Sequence, residues 1–245
     1  MRSIMGLDAG RSRANRGAAD VAATVHDLRA QVERLQGRRL DAPVLPVASA
    51  LARLLPGGGL QTGAAYTLGR STSLLFALLA RPSREGSWCA VVGVPHLGAE
   101  AALKAGVDLS RLVLIPDPGE RWLAVTSAVA DVLPVVVVRP PARASGGEVA
   151  RLAARLRERE AVLLVQGAWP QTEATIEAAD PRWSGLGHGW GMLAERELTV
   201  TVTSRRSPVP RTGRMLLPDA TGGTGGTGRA IVSPFAEPLS MREAV

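Results

Sequence analysis

The first residues whose types and spacing could do chemistry form a short polar segment between two apolar runs. They are Gly69, Arg70, Ser71, Thr72 and Ser73. A strand, a Gly-rich turn and a helix N-terminus bind phosphate when backbone N–H groups, a lysine and a Ser or Thr hydroxyl converge on it. Arg70 supplies a charge and Thr72 or Ser73 a hydroxyl, but the segment has one glycine and no lysine. It therefore predicts a degenerate phosphate-binding loop (P-loop) that is inactive toward nucleotide.

A cluster of tryptophans and arginines in the last third of the chain is the second candidate. Its members are Trp169, Arg182, Trp183, Trp190, Arg205 and Arg206, and a Gly-rich stretch at 184–191 runs among them. Aromatic rings beside arginine stack on unpaired bases, and the same residue types anchor protein interfaces. Three interpretations stay open: the tryptophans cover the end of a sheet, they form a protein interface, or they contact DNA.

The elements that must position these residues follow an α/β pattern. Short runs rich in β-forming residues alternate with stretches of helical periodicity, which predicts a mostly parallel sheet flanked by helices. Strands are predicted at 64–68, 88–92, 112–115, 135–138 and 162–165, with an edge strand at 198–202. After residue 115, Asp117, Pro118 and Glu120 have the spacing of a capped helix start.

Four segments divide the chain. They are a disordered basic N-terminus at 1–19, an amphipathic helix at 20–40, an α/β core at 41–206, and a disordered Pro/Gly-rich tail at 207–245. Val25, Leu28 and Val32 lie on one apolar stripe of the helix, which either packs on its own domain or binds a partner. In the tail, Met215, Leu216, Leu217 and Phe235 are expected to dock on a partner. Because such a composition buries little apolar surface, removing the tail is expected to leave stability unchanged.

Composition excludes several classes of protein. The net charge of +7 comes from the flanks, since residues 1–40 carry eight arginines against four acids and residues 205–245 carry six against three. The spacing of the histidines His26, His96 and His188 with the single cysteine, Cys89, is not that of a metal site. No apolar run approaches the roughly 20 residues of a membrane span. We expect a cytoplasmic protein, with nucleoid association as an alternative, and no metal or other cofactor.

The order of the motifs resembles that of RecA-type proteins across residues 47–206. The opening at 55–60 is similar to the Leu-Pro-x-Gly entry of the RecA core, and the polar segment at 69–73 follows it where the family has its P-loop. Gly106 to Asp108, a Pro-Asp-x-Gly-Glu turn at 116–120, a run of valines and a strand ending in Gln166 then appear in the family's order. Among RecA relatives, the short length and basic flanks resemble the ImuA group of SOS mutagenesis accessory proteins, in its actinobacterial form. The resemblance implies a RecA-like fold.

Departures from the family pattern imply that catalysis has been lost. The P-loop lysine is missing, Arg139 stands where the family has a metal-holding Asp, and Gly93 to Leu97 contain no catalytic acid. Of the functional set only Gln166 keeps its place, and in RecA this residue couples nucleotide state to the DNA-binding loop. Phosphate binding, metal binding and water activation together make hydrolysis feasible. Their combined loss predicts a protein that is not an enzyme.

The resemblance also implies partners. An ImuA-like protein would join an inactive Y-family polymerase-like protein to a damage-inducible C-family polymerase in error-prone translesion synthesis. DNA binding, self-association and contact with RecA remain open beside this. The alternative from another class is a cell-division inhibitor of the SulA type, which shares a degenerate RecA core and targets the division GTPase. Neither role involves a membrane.

Overall fold

Uninterrupted apolar runs become the buried strands of a mostly parallel sheet. The computed structural model describes residues 43–186, 191–217, 225–226 and 231–232. The strands are β1 Val44–Pro46, β2 Gly59–Gln61, β3 Ala65–Leu68, β4 Cys89–Val92, β5 Leu112–Ile115, β6 Val135–Val138, β7 Val162–Gln166, β8 Ala174–Leu186, β9 Gly191–Ser204, β10 Ser207–Leu216, β11 Gly225–Gly226 and β12 Ile231–Val232. The α-helices are α1 Ser49–Ala52, α2 Thr72–Arg84, α3 Ala99–Lys104, α4 Trp122–Ala130 and α5 Gly146–Arg159.

The large sheet has the order β11-β10-β9-β8-β3-β7-β6-β4-β5, with β12 also paired to β10. The strands from β8 through β3, β7, β6 and β4 to β5 are parallel, and β9 and β10 add antiparallel neighbours beside β8. β1 and β2 form a separate antiparallel pair. The α/β class and the mostly parallel sheet predicted from the sequence are confirmed.

Helices cover both faces of the sheet, and each face has its own apolar core. On one face, α2 buries every residue of the run 74–80 against alternate strand residues such as Tyr66, Val91 and Leu164. On the other face, Val149, Leu152 and Leu156 of α5 pack with Val136 and Leu163. Strand residues alternate between the two faces. Because both faces are covered, the central strands can be continuous runs of apolar residues.

Local sequence explains where α2 and α5 begin. The Ser71 hydroxyl accepts a hydrogen bond from Leu74 N at 3.3 Å and so caps α2. Ser145 caps α5 in a reciprocal capping box with Glu148, whose carboxylate accepts from Ser145 N at 2.8 Å. This bond pattern stabilises the ionised Glu148, so its pKa is lowered, chiefly by the Ser145 hydroxyl. Both helices therefore start at fixed residues, α2 after the carboxyl end of β3 and α5 after that of β6.

The predicted boundary at residue 206 is wrong. β10 begins at Ser207 and pairs with β9 from Arg211 to Leu216, so the ordered core continues through residues that were expected to be a disordered tail. As a result, the predicted edge strand at 198–202 lies inside β9, with neighbours on both sides. The predicted N-terminal segments at 1–19 and 20–40, with Val25, Leu28 and Val32, lie outside the described residues, as does Phe235.

Candidate functional site

The carboxyl ends of three neighbouring parallel strands bring the predicted P-loop residues together with Arg139 and Gln166. β3 lies beside β7, and β7 lies beside β6. β3 leads into the loop at 69–73, β6 leads into Arg139, and β7 ends in Gln166. Ligands of open α/β sheets bind at this edge. The site candidates that are far apart in sequence therefore share one end of the sheet.

The polar segment at 69–73 connects β3 to α2 and is held by hydrogen bonds within the protein. The amide of Gly69 donates to Ile176 O at 3.0 Å, so the ladder between β3 and β8 continues into the loop. At the other end, the Ser71 side chain caps Leu74 N. Arg70 and Thr72 are exposed. Donors at both ends of this segment are thus bonded within the protein, and only three residues, 69–71, separate β3 from α2.

Arg139 and Gln166 form a hydrogen-bonded pair at the end of β6 and β7. Arg139 Nε and one terminal nitrogen donate to Gln166 Oε1 at 3.2 and 2.8 Å. Gln166 is only 4% exposed, and among the described residues its Nε2 has no hydrogen-bond partner. A metal-dependent site needs a carboxylate at this position. The carboxyl ends of β6 and β7 instead present the guanidinium of Arg139, which is bonded to the buried amide of Gln166. A cation at this position repels Mg²⁺.

Gly93 fixes the backbone path beside Arg139. It follows β4, has φ +75°, and its amide donates to Ile115 O at 2.9 Å. A Cβ at this position would lie 2.7 Å from Arg139 O. Arg139 N in turn donates to Val92 O at 3.0 Å. The guanidinium of Arg139 is therefore carried on a backbone segment that has no room for a side chain at residue 93.

Arg196 completes the site from the β8–β9 hairpin. Its guanidinium donates to the Ser73 hydroxyl on the first turn of α2 and, through Nε, to Leu217 O at 2.9 Å. It also lies over the Trp183 ring, with the guanidinium carbon 5.3 Å from the ring centroid. Partial burial lowers the pKa of Arg196. Sequence analysis missed this residue, although its position one step beyond the buried alternation Leu198, Val200, Val202 places it on the same sheet face.

The structure separates the predicted tryptophan and arginine cluster into different roles. Trp169 is 9% exposed and packs edge to face against Trp122, with ring centroids 6.5 Å apart, so it belongs to the core and cannot contact DNA or a partner. Trp183 is 50% exposed, and Arg182 beside it is also exposed. Trp190 lies outside the described residues. Among the described members of the cluster on this hairpin, Trp183 offers an exposed surface, while Arg182, its neighbour along the strand, points to the opposite face.

Arg205 and Arg206 lie in the turn between β9 and β10, away from that surface. Arg205 is exposed. Arg206 forms an ion pair with Glu173 at 2.6 Å and donates to Gln61 Oε1 at 2.8 Å. Arg206 therefore ties the turn to β2 and to the segment before β8. Arg206 was predicted to bind DNA or a partner, and in the structure its side chain has these structural contacts instead.

Two of the four residues predicted to dock the tail on a partner are core residues. Met215 and Leu217 are each 1% exposed and belong to the apolar cluster on the α2 face, while Leu216 is half-buried. Alternation along β10 points Met215 inward. Met215 and Leu217 therefore stabilise this chain and are not free to bind another.

The described residues contain neither a cluster of metal ligands nor a membrane-spanning helix. No three His, Cys, Asp or Glu side chains come together there as a metal site would need. No helix in the same part of the chain is long and apolar enough to cross a lipid bilayer. Cys89 is buried, and burial raises its pKa to about 12, so the thiol is protonated and unreactive at neutral pH.

Comparison with known proteins gives a family and a fold. Residues 53–171 match the family described as the MT3502 N-terminal domain. The chain is 32% identical over 166 residues to the Mycobacterium tuberculosis protein Rv3395c, an alignment that covers 66% of this chain and 74% of Rv3395c. The crystal structure of the RadB recombinase superposes with a TM-score of 0.53 at 15% identity, covering 71% of this chain and 94% of RadB. At that identity the likeness shows the RecA-like fold alone, as the sequence predicted.

Proposed function

The chain belongs to the same family as Mycobacterium tuberculosis Rv3395c, and on this premise we propose that it is a non-catalytic RecA-fold accessory protein of error-prone translesion synthesis. It acts by binding proteins. The partners that we propose, from the resemblance to the ImuA group, are an inactive Y-family polymerase-like protein and a damage-inducible C-family polymerase.

One observation carries the non-catalytic part of the proposal. Two guanidinium groups occupy positions where nucleotide chemistry requires a metal ion and its ligands. Arg139 donates a hydrogen bond to Gln166, and Arg196 donates one to the Ser73 hydroxyl. A P-loop Ser or Thr hydroxyl has to face Mg²⁺, and a carboxylate has to hold that ion. Here the hydroxyl of Ser73 bonds to a cation instead, and no lysine replaces the lost phosphate contact. Both features oppose binding of ATP with Mg²⁺.

The purified protein is therefore expected not to bind ATP. Calorimetric titration with ATP and Mg²⁺ should give no saturable heat in the micromolar range, because the site offers an internal cation to the metal and only a three-residue loop, 69–71, to the phosphates. A saturable heat that is abolished by Thr72→Ala or Ser73→Ala would place nucleotide on this loop. That outcome would overturn the non-catalytic assignment.

The binding part of the proposal is supported by Trp183. This ring is 50% exposed on the hairpin and is held against Arg196 on one face. Rigid tryptophans next to arginine are enriched among the residues that dominate interface energies. The exposed face of Trp183 is therefore the best candidate for partner contact among the described residues.

Trp183→Ala is expected to reduce recovery of the partner about tenfold or more. The measurement is a pull-down from DNA-damaged cells with identification of the captured proteins by mass spectrometry. Trp88→Ala is the matched control, since Trp88 is 41% exposed and has Arg111 over its ring at 5.4 Å, but lies beside β4 near the opposite end of the sheet. Recovery of the two polymerases supports the proposal. Recovery of the division GTPase instead would support the SulA-type alternative and overturn it.

A further inference from the structure

The outer part of the β8–β9 hairpin, residues 179–186 with 191–197, is only loosely continuous with the sheet; we call it the arm. The pairing of β8 with β9 shifts register between Ala179 and Arg182 and again between Ser184 and Leu186. Asp180, inside the first shift, has φ +50°. Residues 179–185 are all exposed. Bulges bend a strand and break its ladder, so contacts beyond the β8–β9 ladder contribute to the position of the arm.

Arg196 supplies those contacts. It pairs with Trp183 across the arm and stacks on that ring. From there it reaches Ser73 on α2 and Leu217 O at the end of β10. The amide of Leu217 also donates a hydrogen bond to Arg196 O at 2.8 Å. One side chain therefore joins the arm, the N-terminus of α2 and the residue that follows β10.

We propose that Arg196 is a positioning residue that fixes the arm on the first turn of α2. The guanidinium donates from several nitrogens in a fixed plane and stacks on an aromatic ring at the same time. A neutral side chain or a lysine cannot make all of these contacts together. The arm therefore has one permanent position, and the outer face of Trp183 is always presented. This inference goes beyond the proposed function and does not depend on the identity of the partner.

The test is Arg196→Gln, followed by hydrogen–deuterium exchange. Arm amides, in residues 182–185 and 195–197, are expected to exchange about tenfold faster than in the unchanged protein, since a set of charge-assisted hydrogen bonds is lost. Amides of β6 and β7 should be unaffected. Arg214→Gln is the matched control, because Arg214 on neighbouring β10 forms a long ion pair of 3.6 Å with Glu197 and is half exposed. Unchanged arm exchange in Arg196→Gln would overturn the proposal.

A second variant keeps the test decisive if Arg196→Gln folds poorly. Ser73→Ala removes the acceptor on α2 while leaving Arg196 and Trp183 in place, and it too is expected to speed arm exchange. Acrylamide quenching of Trp183, taken as the difference between each protein and its Trp183→Phe version, should increase in Ser73→Ala and stay constant in Arg214→Gln. Equal quenching in all three proteins would show that the arm holds its position without the anchor.

These outcomes are separate from those that test the proposed function. ATP binding by the unchanged protein would refute the non-catalytic assignment but would leave the exchange result of Arg196→Gln standing. Unchanged arm exchange in Arg196→Gln would refute the role of Arg196 but would not alter which partners are recovered by pull-down. The two proposals therefore fail independently.

Discussion

A chain that ends at Arg206 is expected to lose most of its stability. The truncation removes β10, which pairs with β9 from Arg211 to Leu216, and it removes the buried side chains of Met215 and Leu217. Gly213 packs against Leu54, so the core around α1 would also open. Loss of a single buried Met or Leu side chain costs about 2–5 kcal/mol. The melting temperature should therefore fall by about 10 °C or more.

The control for this experiment is a chain that ends at Leu217. It keeps all of β10 and removes only the later residues, of which the structure describes the short strands β11 and β12. Thermal melting of the two truncated chains and the full chain separates the contribution of residues 207–217, which include β10, from that of the residues after Leu217. Equal melting temperatures for the chains ending at 206 and 217 would mean that β10 does not stabilise the core.

Gly93→Ala is expected to be strongly destabilising. The new Cβ would lie 2.7 Å from Arg139 O, which is a backbone atom and cannot move aside as a flexible side chain could. The residue also has φ +75°, which disfavours any side chain. Displacing the backbone of Arg139 would loosen its bonds to Gln166. We expect the free energy of unfolding to fall by about 1–3 kcal/mol more than for a change that meets no neighbour.

Gly58→Ala supplies that comparison. Gly58 has φ +79°, nearly the same as Gly93, but a Cβ there would meet nothing within 4 Å. The difference between the two variants in urea unfolding isolates the contact with Arg139 from the cost of the backbone conformation. If the free energy of unfolding falls by the same amount in both variants, the close approach of Gly93 to Arg139 does not contribute to stability.

The parallel core could be predicted from sequence because its strands carry their own signal. Buried runs such as 135–138 and 162–165 are apolar throughout, and β6 and β7 occupy those positions. The helix start predicted at Asp117 was less accurate. The Asp117 side chain accepts from Gly119 N at 3.2 Å and begins a short 3₁₀ turn at Gly119–Arg121, with α4 following at Trp122. The capping box forms at Ser145 instead, where the hydroxyl and Glu148 have the right spacing.

The strand β10 could not be predicted from composition. Pro208 and Pro210 indicated a tail, because proline cannot donate to a central ladder. In the structure, the register of β9 and β10 shifts between Ser207 and Arg211, the interval that contains both prolines. A bulge leaves residues unpaired and so tolerates the missing N–H groups. The regular pairing resumes only after the prolines, where Met215 and Leu217 are buried.

The candidate site was only partly accessible from sequence for a related reason. The absence of a lysine from the predicted P-loop and the position of Arg139 were visible in the motif order. The bond from Arg196 to Ser73 joins residues 123 positions apart and depends on the register of an irregular hairpin. No local pattern specifies such a contact. The arginine that completes the site therefore appears only once the strands are paired.

The central position of β3 in the sheet also has a consequence for biosynthesis. β3 pairs with β7 on one side and β8 on the other, and Thr67 N bonds to the Thr172 hydroxyl across 105 residues of chain. During translation, β3 has no strand beside it until β7, at residues 162–166, has been made, and its second neighbour follows with residues 174–176 of β8. Non-local parallel pairing is slow, and apolar surface exposed in the meantime promotes aggregation. We therefore expect the nascent chain to depend on chaperones until β7 and β8 have left the ribosome.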